Sequence, residues 1–128
     1  MATHRLTRVL LTLALLLLAM DVTVWFGHVL WRDSNLGGLD PLVGHIERLA
    51  EQVAADDDWI EKNHRLLEGY GQHDEYAARL VERGRRATAH NALVRAYNSR
   101  VVELHRRFYF APLPPPQPRL LDSIATGT

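Results

Sequence analysis

The stretch Val9–Trp31, VLLTLALLLLAMDVTVWFGHVLW, is almost wholly apolar and follows directly on His4, Arg5 and Arg8. At about 1.5 Å per residue, a helix of this length rises about 34 Å, enough to cross a hydrocarbon core of roughly 30 Å. The flank before it is basic and carries no acid, whereas Arg32 and Asp33 after it cancel. The positive-inside tendency then keeps residues 1–8 in the cytoplasm, spans with 9–31 and sends the rest of the chain outward. The residues after the Leu-rich half, Asp21-Val-Thr-Val-Trp-Phe, are too bulky for a signal-peptidase motif. An uncleaved signal anchor is therefore expected.

Two ionisable residues, Asp21 and His28, lie inside the span. An aspartate near the bilayer centre costs roughly 2.5–3.5 kcal/mol on insertion scales. Asp21 is thus a candidate contact for a partner helix.

Beyond the span, about 97 residues remain, enough for one small domain. Formal net charge is zero, so nothing draws the whole protein to nucleic acid. Cysteine is absent, which removes disulfides, thiol catalysis and Cys-ligated metal. Residues 32–40, with Gly37 and Gly38, read as a hinge, and Asp40-Pro41 as a helix start. Leu42, Ile46, Leu49 and Val53 recur at four, three and four, which predicts one apolar stripe. The run Asp56-Asp57-Asp58 reads as a boundary and the solvated start of a second helix at Trp59-Ile60, carrying Leu66, Leu67 and Tyr70. From Asp74 to Tyr109 apolar positions recur at threes and fours, predicting a long helix whose weakest point is Gly84. No segment alternates as a strand does. The expectation is an all-α chain: a transmembrane helix, then a small antiparallel or coiled-coil-like bundle over 41–110 ending in a long helix. Residues 111–128 form a Pro-rich tail, read as a stiff spacer or helix stop.

Within the long helix, His90-Asn91 and Tyr97-Asn98 repeat an aromatic-plus-Asn pair at a spacing of seven, with Val94 between. Seven residues make two turns, so His90 lies above Tyr97 and Asn91 above Asn98 on one face. Buried amides need partners, so such a ladder is expected to fix the register of a bundle seam, with a ligand site built on it as the rarer alternative. These residues also resemble the LemA family of small membrane-anchored bacterial proteins, whose Tyr-Asn-x-x-Val-x-x-Tyr-Asn signature falls on Asn91, Val94, Tyr97 and Asn98, with His90 in place of the first tyrosine. Gly69-Tyr70-Gly-Gln-His73-Asp74 and Asp58-Trp59-Ile60 echo two further family elements, so the likeness covers roughly 58–101 plus the anchor. Family members are usually longer between these elements, and the family's Phe-Pro step after the repeat is missing here. The resemblance implies a shortened, divergent member: a helical bundle at the bacterial inner membrane, with no established catalytic chemistry.

Other chemistries find little support. Seven histidines invite a metal, yet no His pair stands at i, i+4. A composite sensing site would have to combine His64, His73 and Asp74 across helices. No phosphate loop or nucleophile elbow is present, so no enzyme, cofactor or resident metal is expected. Arg83, Arg85, Arg86, Arg95, Arg100, Arg106 and Arg107 make the last helix basic. They either pair with acids of the preceding helices or, around Arg100, Arg106 and Arg107, meet lipid headgroups or an acidic partner. The expected partners are the bilayer and another membrane or envelope protein, or a second copy of the chain, and not nucleic acid. The sequence thus points to recognition or scaffolding at a membrane.

Overall fold

The computed structural model describes residues 2–64, 73–109 and 111–127. These residues are helical or irregular, with no strand among them. Three helices follow in order: α1 (Ala2–Gly37), α2 (Asp40–His64) and α3 (His73–His105), the last continued by a 3-10 turn over Arg106–Phe108. They fall into two compact units, residues 1–37 and 38–128.

α1 is long and apolar enough to cross a membrane, and its apolar stretch is not buried. Its threonines suit an apolar surrounding, because Thr7, Thr12 and Thr23 each donate to the carbonyl four residues back at 2.8 Å. A hydroxyl so paired no longer demands water. The helix continues past Trp31 to Gly37, so the expected hinge over 32–40 shrinks to the step between Gly37 and Asp40. Asn35 helps by donating to the Trp31 carbonyl at 2.8 Å.

In the second unit α2 packs on α3, and their partners succeed one another in opposite order. His64 lies against Tyr76, Asp57 against Arg83, and Asp56 against both Arg79 and Arg86. The core is a narrow seam. α2 buries Ile46 and Val53, while α3 and its final turn bury Ala87, Val94, Val101, Leu104 and Phe108. Ala87, Val94, Val101 and Phe108 stand seven apart, the repeat by which one helix keeps a single stripe against its neighbour. α3 runs unbroken through Gly84, so no turn forms there.

The acidic run corrects the sequence expectation. Asp56, Asp57 and Asp58 lie inside α2, which passes straight through to His64, and no second helix starts at Trp59. Each carboxylate has found a cation. Asp58 takes Lys62 one turn on at 2.7 Å, and Asp57 takes Arg83 at 2.7 and 3.2 Å. Asp56 is 1% exposed and accepts from Arg86 at 2.7 Å and Arg79 at 3.3 Å. It extends the stripe Leu42, Ile46, Leu49, Val53 by one more step of three, so it occupies a seam position. Arg79 also lies 4.9 Å from the Trp59 ring centroid, a cation–π contact that holds its guanidinium over the clamp. The expected elements at Leu66, Leu67 and Gly69-Tyr70 lie outside the described residues.

Breaking a buried ion pair by removing one partner is costly, because the other charge stays behind uncompensated. Asp56→Ala should therefore lower stability by about 3 kcal/mol, the low end of that range, since both arginines keep solvent contact. Asp58→Ala should cost far less, because its partner Lys62 is exposed and the pair is screened by solvent. Urea denaturation of both variants compares the two directly.

Candidate functional site: the amide ladder of α3 and the docked tail

Asn91 and Asn98 face neither α2 nor solvent alone. Each pairs in two-point fashion with the backbone of one tail residue. Asn98 Nδ2 donates to the Leu121 carbonyl at 2.9 Å, and the Leu121 N–H donates to Asn98 Oδ1 at 2.9 Å. Asn91 Nδ2 donates to the Ile124 carbonyl at 2.7 Å, and the Ile124 N–H donates to Asn91 Oδ1 at 2.8 Å. The seven-residue spacing of the amides is about 10.5 Å along a helix. Three residues of polyproline-like chain advance about 9.3 Å. The two repeats nearly match, so successive amides meet every third tail residue.

The tail shows the same period in its burial. Residues 111–127 are neither helix nor strand, and Pro115, Pro118, Leu121 and Ile124 are half-buried between exposed neighbours. The chain runs back along α3 from Asn98 toward Gly84. There Arg83 Nη1 donates to the Ala125 carbonyl, and a Cβ placed on Gly84 would stand 3.9 Å from the Thr126 carbonyl oxygen. Arg83 thereby joins the tail to α2, since its other nitrogens hold Asp57. Asp57 pushes the Arg83 guanidinium above its ordinary range by hydrogen bonding and charge, against the opposing effect of burial.

His90 is 4% exposed and sets the first rung. Its Nδ1 lies 3.1 Å from Asn91 Oδ1, an oxygen that can only accept, so Nδ1 carries the proton. That bond fixes which end of the Asn91 amide faces the Ile124 N–H. Val94 is buried in the helix seam beneath, and Tyr97 is half-buried. The five residues expected to form a seam are thus together on α3. Their amides, however, read the tail backbone instead of fixing the register of two helices, and the tail is a packed strap as well as a spacer. Among the described residues no buried side-chain nitrogen or oxygen lacks a partner. Beside Asn98 opens a shallow depression of about 430 Å³, lined also by Ser99, Val102, Glu103 and Arg106.

The other candidates are dispersed. Asp21 is exposed on α1. Arg100 pairs with Glu103 at 2.9 Å, and Arg106 and Arg107 are exposed in the closing turn. Much of the basic stripe is spent on acids: Arg79, Arg83 and Arg86 on α2, Arg85 on Glu82. His64 packs edge-on against Tyr76, Asp74 is exposed, and the His73 side chain lies outside the described part. No group of three or more His, Asp or Glu side chains suited to a metal occurs among the described residues. Sequence reasoning missed Asp56, Leu121 and Ile124. The signal for the last two was present: apolar residues at 115, 118, 121 and 124, every third position.

No protein-family model matches the chain, and no curated protein or solved structure matches it either.

Glu82 offers a pH test of the cluster beside the ladder. Hydrogen bonding from Arg85, aided by Arg86, holds its carboxyl below the usual range, so it stabilises the fold above its unfolded-state value. That contribution is lost as pH falls through the depressed folded-state value. Thermal unfolding should show Glu82→Gln less stable than the parent at neutral pH, with the gap closing at strongly acidic pH.

Proposed function

We propose that the chain is a membrane-anchored, non-catalytic helical protein that serves recognition or scaffolding at the membrane. α1 crosses the inner membrane once, with its basic start in the cytoplasm, and residues 38–128 form an antiparallel helical bundle on the far side. The observation that carries this reading is the chemistry of α1. Leu10, Leu13, Leu17, Met20, Val24 and Phe26 are all more than half exposed around the helix, an arrangement that water disfavours and lipid accepts. Arg5 and Arg8 at its start favour this orientation. The LemA-like residues Asn91, Val94, Tyr97 and Asn98 support the same class, since the family resemblance implies a small bundle tethered by an N-terminal helix. Charged headgroups or an acidic partner would meet the exposed Arg106 and Arg107 at the end of α3.

A reporter fused to Thr128 tests the arrangement. The account predicts that an export-dependent reporter is active, that the fusion stays in the membrane pellet after alkaline carbonate washing, and that mild crosslinking recovers a membrane or envelope protein. A fusion released by carbonate, or active only as a cytoplasmic reporter, contradicts it.

A further inference from the structure

We propose that the face of α3 bearing Asn91 and Asn98 is a peptide-binding groove, and that the tail is its resident pseudo-ligand. The ligand class is an extended segment of a partner protein with an apolar residue at every third position. This gives the recognition role proposed above a binding element.

The geometry of the tail contact carries it. The ladder contacts the tail through backbone N–H and C=O groups only, which any extended chain presents. Its two rungs are spaced for residues three apart, so register is read by geometry. Side-chain selection is left to the positions of Leu121 and Ile124, which are half-buried between exposed neighbours. Beside Asn98 a shallow depression opens along Val102 and Arg106, to one side of the ladder. Gly84 and Arg83 receive the backbone that follows the Asn91 rung.

A tethered tail competes at an effective concentration on the order of millimolar. A second copy's identical tail has no advantage over it, whereas a partner segment with larger apolar groups at the two selecting positions does. The tail therefore acts as a filter that admits only the better ligand.

The test uses the full chain in nanodiscs and a fluorescein-labelled peptide of residues 112–127. Leu121→Pro with Ile124→Pro removes the two tail N–H groups that the ladder accepts while leaving the groove intact. The double-proline chain should bind the peptide at least tenfold more tightly than the parent. Adding Asn91→Ala and Asn98→Ala should abolish that gain, and so should alanine at peptide positions 121 and 124. A double-proline chain that melts cooperatively yet binds no peptide overturns the proposal, as does binding indifferent to the two asparagines. A parent dimer that dissociates on the proline substitutions also overturns it, by making a second copy's tail the occupant. If the double-proline chain fails to melt cooperatively, amide exchange in the parent decides. Leu121 and Ile124 exchanging at least tenfold faster than Val94 and Val101 supports a releasable tail, and exchange only in step with them refutes it. Retention of every variant in the membrane pellet is scored separately, so loss of the groove is distinguishable from loss of the anchor.

Discussion

Two side-chain amides on one helix hold the backbone of the tail, and the second unit depends on that pairing. A pair of helices buries only the stripe each turns to the other. Ala87, Val94, Val101 and Phe108 fill that stripe on α3, and the adjacent line through Asn91 and Asn98 is left needing cover. Covering it with extended chain raises a difficulty, because extended chain carries backbone groups that must be paired when water is removed. The asparagines answer it, donating and accepting at the same residue. Each bond contributes on the order of 1 kcal/mol net, but leaving either group buried and unpaired costs more than the bond gains. The tail thus docks in one register or not at all.

The second constraint lies where the tail ends, on the neighbouring turns of α3. Asp56 sits at a seam position where an aliphatic residue is the ordinary choice. Isosteric apolar packing there is often as stabilising as a buried ion pair. What the carboxylate adds is selectivity, since only one alignment of α2 on α3 brings Arg79 and Arg86 to it together. Arg83, one turn from both, ties this clamp to the tail through Asp57 and the Ala125 carbonyl. Clamp and ladder are therefore parts of one connected polar framework around a thin apolar seam.

Much of this was legible in the chain. The apolar span and the threes-and-fours of α3 are strong signals because hydrophobic burial repeats with the helix itself. The reading failed where charge met periodicity. Three consecutive aspartates suggest a solvated boundary, and only the arginines of a distant segment make them compatible with mid-helix burial. Gly84 weakens an isolated helix, but tertiary packing on both sides keeps α3 continuous. The ladder was recognised as a pair of amides two turns apart, while its partner was not. A partner in extended backbone leaves no side-chain signature beyond the weak period of three at 115, 118, 121 and 124.

The two units differ sharply in chemistry. α1 has the composition of a lipid-facing helix, and the second unit presents a basic helix end and a tail paired to Asn91 and Asn98. The claim on which the account rests is that Asn98 and the Leu121 backbone stabilise the fold through each other. A double-mutant cycle on urea stability with Asn98→Ala, Leu121→Pro and the combined variant measures this. The account predicts that the two losses overlap, with a coupling of at least about 1 kcal/mol. Losses that simply add would show that the amide and the tail are independent, and would contradict it.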